Sequence, residues 1–431
     1  MGRYLLFAIV LNVLSAAPRA SAGEATNAAP FKYAWGQAYH VLAETHNRDS
    51  GYFSLCEGLN GKIYIGTAKY GVNSYLVEFD PETEKQRIVI DTHKVCGLTA
   101  NGNAAQSKIH TRNFVGPSGK IYVGSMQGYA DTSGYPGGYV MTYDPDTGVT
   151  ECLGIPAPGC GTIDVVADEG RSVIYVIPEG ATKPWTLYDI KTKKYREIGP
   201  ALTGRAHTLI DHRGHANAIT KDYRLAQYSP DTGKVVVRDI LVDGKRVTDL
   251  GMSPEWSMAA DGRTAYMIQA ADPTVYEIDL TGVGMAVKAM SHGRLIEGKN
   301  ARCRTLRVGP YGRVYAVVRT RNETGFGGDS LYHLMQFDPE TEKMDDLGVL
   351  AVENPGFYFD SPGTKLGHPV SGSAENPSYC GYHRLPDGTL TPSGGSDCMA
   401  MIVTRDGTIY VTILYPFTLL KIEGLSFPRI P

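Results

Sequence analysis

The sequence has no excess of charge of either sign. Lys+Arg total 42 and Asp+Glu total 45, which gives a formal net charge of −3 over 431 residues. A general nucleic-acid binder carries a strong basic excess, so that class is excluded. Beyond its first residues the chain also lacks any long apolar run, which excludes a transmembrane helix of about 20 apolar residues. Charged residues are only 20% of the chain and hydrophobic residues 42%, a globular balance rather than a disordered one. What is abundant is Gly (50), Tyr (27) and Pro (25). That mixture suits many short strands joined by tight turns better than a helical bundle.

The N-terminus reads as an export signal. Arg3 is a short basic start, and residues 5–14 are apolar apart from Asn12. Ala20-Ser21-Ala22 fits an A-x-A cleavage site, so residues 1–22 are expected to be a signal peptide. The mature chain is expected to be secreted or periplasmic, without membrane insertion after cleavage.

One pattern then recurs: a Gly turn, a short apolar strand, a loop, a second strand and an Asp-Pro-x-Thr type turn. GKIYIGT at 61–67 leads to DPET at 80–83, and GKIYVGS at 119–125 leads to DPDTG at 144–148. VIYV at 173–176 precedes LYD at 187–189, and ANAI at 216–219 precedes LAQYSPDTG at 225–233. GRTAY at 262–266, GRVY at 312–315 and GTIYV at 407–411 open three more copies. Seven copies at spacings of about 40–60 residues predict an all-β, seven-bladed β-propeller in a single domain, residues 23–431. The aromatic before each turn (Phe79, Tyr143, Tyr188, Tyr228, Phe337) is expected to pack between blades. The longest gap, residues 349–397, reads as an ordered insertion.

Propeller geometry places the inner strand's start and the second strand's end at the top of the channel, with the Asp-Pro hairpins at the bottom. The top register, about nine residues before each Gly turn, selects Lys108, His110 and Arg112 in blade two and Arg205 and His207 in blade four. It selects Glu255 and Trp256 in blade five, and Arg302, Cys303 and Arg304 in blade six. Gln127 and Tyr129 follow the second strand of blade two. Arg and His converging from several blades would make a pocket for an anionic ligand, since the Arg fork bonds carboxylates in pairs and His titrates near neutrality. His212 and His215 fall by a bottom turn and read as structural.

The seven cysteines are Cys56, Cys96, Cys152, Cys160, Cys303, Cys380 and Cys398. An odd count leaves at least one unpaired or metal-bound. Cys152 and Cys160 flank a Pro-Gly loop and are expected to be able to pair. Cys380, His383 and Cys398 suit a structural zinc, with His368 the nearest fourth donor; a Cys380–Cys398 disulfide is the alternative.

SKIHT at 107–111 followed by GKIYVGS resembles the propeller polysaccharide lyases, in particular ulvan lyases and oligogalacturonate-lyase-like proteins. In that group one His begins the inner strand of an early blade and a second often follows the next strand, where this chain has Met126. The resemblance implies β-elimination from a uronic acid in an acidic polysaccharide or oligosaccharide. It implies that His110 and Arg205 occupy the uronate site, and that a structural zinc is held by Cys and His. Arg205 would pair the carboxylate, His110 or His207 would act as base and Tyr129 as acid. Lys108, Arg112, Gln127, Glu255, Trp256, Arg302 and Arg304 would contact substrate. Two other readings fit the same repeats: a non-catalytic glycan- or protein-binding propeller, and a small-molecule lyase of the streptogramin-lyase type, for which Glu255 is the one acid in the top register.

Overall fold

In the computed structural model, residues 28–47, 51–179, 183–248, 254–358, 381–392 and 400–424 are described. The repeated motif forms an antiparallel meander each time it occurs. The Gly turn needs a left-handed backbone, and Gly61, Gly119, Gly262, Gly312 and Gly407 all have φ between 64° and 91°. The strand that follows is short, β-branched and fully buried, as at Ile63–Thr67 and Ile121–Met126. The Asp-Pro turn is held by its own side chain: Asp80 Oδ1 accepts the Glu82 N–H at 3.0 Å, and Asp144 Oδ1 accepts the Asp146 N–H at 3.0 Å.

The first group runs Gly51–Glu57, Ile63–Thr67, Tyr75–Phe79 and Gln86–Asp91. The second has a broken inner strand, Lys108–Ile109 and Phe114–Val115, then Ile121–Met126, Val140–Tyr143 and Thr150–Gly154. The third is Thr162–Asp168, Val173–Pro178, Pro184–Asp189 and Lys194–Ala201. Leu209–Ile210 opens the fourth and Glu255–Met258 the fifth; their outer strands, Lys234–Val242 and Ala286–Arg294, pair in parallel. Arg302–Val308 opens the next group. The last has Ala400–Val403, Ile409–Ile413 and Thr418–Ile422, and its outermost strand is Tyr33–His40 from the other end of the chain. N- and C-terminal segments therefore share one sheet, which locks the ends together.

Neighbouring groups are stapled in order. Tyr122 Oη donates to Glu169 at 2.7 Å, Arg171 to the Arg213 carbonyl at 3.3 Å, and Arg213 to the Leu280 carbonyl at 2.9 Å. The last returns to the first where Arg405 meets Glu57 at 3.1 Å. Phe79, Tyr143, Tyr188, Tyr228 and Phe337 are all buried. Burying such a side chain contributes roughly 1.5–3 kcal/mol. Phe79 packs with Tyr410, and Phe337 with Tyr266, across group boundaries as expected.

The Gly and Asp-Pro turns of one group lie on one face, since Lys62 meets Asp80 at 3.4 Å and Arg313 meets Asp338 at 3.6 Å. The strand Lys343–Val352 extends into the segment expected to start the insertion at 349. Within that segment the hairpin Tyr382–Arg384 and Leu390–Pro392 buries Tyr382 and Leu390 beside Leu334 and Leu350. The signal peptide assigned to residues 1–22 lies outside the described residues. Among the described residues no helix is long and apolar enough to cross a membrane.

Candidate functional site

The broken inner strand of the second group creates the site. Ser54 Oγ donates to the carbonyls of both Ile109 and Thr111, at 2.8 and 2.6 Å. Asn113 takes φ 41°, a left-handed backbone that asparagine tolerates better than most residues. A regular strand would put His110 and Arg112, two residues apart, on one face; here the strand is interrupted between Ile109 and Phe114, and both side chains are buried with different partners.

His110 lies under aromatic rings. Its imidazole is 4.8 Å from the Tyr52 ring and 5.4 Å from the Phe53 ring. Burial, and then the cations of Lys108, Arg205 and Arg112, hold its pKa well below the ordinary histidine value. It is thus a neutral imidazole at neutral pH, and its buried Nδ1 has no hydrogen-bond partner among the described residues. Lys108 Nζ sits over the Tyr52 ring at 4.7 Å and the Tyr70 ring at 5.5 Å. The Tyr52 and Tyr70 hydroxyls touch, and the Tyr70 and Tyr129 rings are 5.8 Å apart. The Arg205 guanidinium lies 5.3 Å from the Phe53 ring. A neutral base, two cations and three phenols thus stand on one connected wall.

A second cluster lies in the channel. Arg112 forks onto Glu255, with Nε to Oε2 at 3.2 Å, both side chains buried. Arg112 also donates to the Arg205 carbonyl at 3.4 Å, linking the two clusters. His207 Nδ1 bonds Asp164 at 2.7 Å. Trp256 is buried, and its indole donates to the His207 carbonyl at 2.9 Å, which makes it a wall rather than a stacking platform. Gln127 bonds Glu179. The structure therefore divides the expected set. Lys108, His110, Arg205 and Tyr129 share the upper wall, while Arg112, His207 and Trp256 line the channel, with Glu255 buried against Arg112. Arg302 is exposed and Arg304 partly buried on the strand Arg302–Val308, and neither is among the residues lining the channel cavity.

No family model matches the chain, and no curated protein does. Similar solved structures exist. The extracellular domain of BT4673, a hybrid two component system of B. thetaiotaomicron, superimposes with a TM-score of 0.52 at 11% identity over 93% of this chain. The chain spans 41% of that structure's length. The RRP9 WD40 repeats match with a TM-score of 0.50 at 8% identity, over 90% of this chain and 99% of that one. Kuenenia stuttgartiensis hydrazine synthase matches with a TM-score of 0.51 at 14% identity, over 89% of this chain and 99% of that one. At such identities the likeness shows the fold alone: the chain is an all-β protein of propeller type.

Sequence reading missed Tyr52, Tyr70 and Phe53. The first was within reach. Tyr52 precedes Gly61 by the same interval as His110 precedes Gly119, and Tyr70 follows its strand as Tyr129 follows the equivalent one. Arg307 was missed because it sits further along its inner strand than the register searched.

One cysteine reading changes. Cys152 and Cys160 flank a loop that would let them pair, but the Cys152 thiol meets that of Cys96, which holds the Cys96 proton on and eases the Cys152 proton off. Cys160 is a free thiol. Cys96 ends the short helix Thr92–Cys96, and Cys152 lies on the outer strand of the second group. Of the expected zinc ligands, Cys380 and Cys398 lie outside the described residues, as does His368. His383 is buried, and its Nε2 has no hydrogen-bond partner among the described residues. Burial lowers its pKa, opposed by Asp329. His212 and His215 sit by the bottom turn: the His212 N–H bonds the Gly262 carbonyl at 2.8 Å, and His215 Nδ1 is 3.7 Å from Asp211.

Proposed function

We propose that the protein is an exported seven-bladed propeller that cleaves a uronate-containing polysaccharide by β-elimination at the upper wall. One observation carries the reading: neutral, buried His110 is set beside the cations Lys108 and Arg205 and below a row of tyrosines. Elimination needs those three kinds of group. Arg205, with Lys108, would neutralise the C6 carboxylate and stabilise the enolate-like charge. His110 would take the C5 proton, the C5–H electrons forming the C4=C5 bond as the C4–O4 bond breaks. Tyr129 would give its proton to the leaving oxygen.

Incubation with a panel of uronate polysaccharides tests this directly. Ultraviolet absorbance of the unsaturated product is expected to grow with at least one of them. No absorbance with any, together with measurable binding of an acidic glycan, would favour a non-catalytic binding propeller. That second reading has its own support, because Met126, where the lyases often place a second His, is buried in an apolar cluster with Tyr175 and Trp185. A structural zinc at Cys380, His383 and Cys398 is a separate proposal. Metal analysis of purified protein is expected to find about one equivalent, and a Cys380–Cys398 disulfide would overturn it.

A further inference from the structure

We propose that the central cavity is a binding site for a small carboxylic acid with an apolar body, its carboxylate held by Arg307. The cavity has a volume of about 330 Å³ and is separate from the upper wall, since Lys108, His110 and Arg205 do not line it. Inner strands from several groups converge on it, bringing Arg307, His207, Ser257 and Trp256 together.

The argument rests on which charges are already satisfied. Both Glu255 oxygens are taken by Arg112, through Nε and Nη2. Both Asp164 oxygens are also taken, one by His207 Nδ1 at 2.7 Å and one by the Thr208 N–H at 2.8 Å. Among the described residues no carboxylate is in bonding contact with Arg307. Its one hydrogen bond among the described residues runs from Nη1 to the Leu306 carbonyl at 2.7 Å. The Arg307 side chain is half-buried at the cavity wall, and an anion bound at its free edge would supply the hydrogen-bonded counter-charge that no described residue gives it. Burial draws the Arg307 pKa down to about 10, with Glu255 opposing and Arg112 adding to the fall, so the group still carries its charge at neutral pH.

Two further groups fit an anion. Ser257 Oγ accepts the Val308 N–H at 3.1 Å, which leaves the hydroxyl proton to be donated. His207 gives Nδ1 to Asp164 and has no partner for Nε2 among the described residues. The choice of a monocarboxylate follows from charge and shape. Glu57, which lines the cavity and pairs with Arg405, and the carboxylates of Glu255 and Asp164 near Arg307 disfavour a dianion, and the planar fork of Arg matches a carboxylate. The rest of the lining includes Leu55, Leu209, Val308 and Ile402, which suits an apolar body.

Titration calorimetry on the full chain, in a chloride-free buffer, tests this with acetate, propionate and inorganic phosphate. Saturable binding is expected for the two carboxylates, propionate tighter than acetate and both tighter than phosphate. Arg307→Met is expected to lower propionate affinity about 10–100-fold, the loss of a charge-assisted bond. Should that variant not fold, Arg307→Lys keeps the buried charge but loses the fork, and is expected to bind about tenfold more weakly. Absence of saturable binding, or wild-type affinity in the Arg307 variants, overturns the proposal. Propionate binding lost in Arg205→Ala but kept in Arg307→Lys also overturns it, by moving the anion to the upper wall. Lyase turnover is read separately, so failure of this site and failure of the proposed activity are distinct results.

Discussion

Arg112 and Glu255 stand 143 residues apart in sequence and meet in a buried fork, Nε to Oε2 at 3.2 Å. Their side chains are 3% and 2% exposed, so each depends on the other for its counter-charge. Removing one partner strands a buried charge. Glu255→Ala is therefore expected to destabilise the protein by about 3–5 kcal/mol. Replacing both residues with leucine is expected to recover much of that loss, because the desolvation cost disappears with the charges. Denaturant unfolding of the two variants checks this. A single variant within 1 kcal/mol of wild type, on the order of an exposed pair, would refute the buried-pair account.

Turnover separates the upper wall from the bottom face. Arg205→Ala is expected to lower kcat by about 10²–10³-fold, the scale of a lost oxyanion-type contact. His110→Ala is expected to lose at least as much. His212→Ala should keep near-normal rates, since its backbone, not its ring, bonds Gly262. Equal losses in all three variants would point to damaged folding instead of a damaged site.

The propeller architecture was legible because its cause is local. Each Gly turn, β-branched strand and Asp-Pro turn repeats in the sequence, and each turn is closed by atoms within a few residues, as at Asp80 and Glu82. Site membership is only half local. Register alone placed Lys108, His110, Arg205 and Tyr129 near one end. It did not reveal that the kink at 110–113 turns Arg112 inward to Glu255, because that depends on Ser54 from another sheet. The Cys96–Cys152 contact was hidden for the same reason: it joins two groups, whereas the Cys152–Cys160 pairing that the sequence allowed rested on nearness in sequence.

Lys108 gives the wall a pH dependence. Its pKa falls from 10.5 to about 8, chiefly through burial, with Glu179 opposing and Arg205 adding to the fall. A base with a lowered folded pKa destabilises the fold while charged, and that penalty fades as pH rises from the folded value towards the unfolded one. Lys108→Met is therefore expected to stabilise the protein more at pH 7 than at pH 10, values chosen to fall on either side of the folded pKa. Uronate affinity should move the other way, weakening in wild type as pH rises through about 8. Thermal unfolding and binding at several pH values report both trends. A stability gain that does not change with pH would mean that Lys108 titrates normally.

Cys96 and Cys152 provide the remaining test. Their thiols meet across the boundary between the first two strand groups, between a helix end and an outer strand. In an oxidising compartment a disulfide donor would accept the two thiol hydrogens with their electrons and leave a Cys96–Cys152 bond. Protein produced by export is therefore expected to yield a linked peptide pair in a non-reducing digest, while Cys160 remains alkylatable. Serine at either position should lower stability by about 2–4 kcal/mol relative to the oxidised protein. In reduced protein the same substitutions should matter much less, because the unfolded chain is then no longer cross-linked. Full alkylation of both thiols in freshly exported, unreduced protein would show that the contact stays a thiol pair.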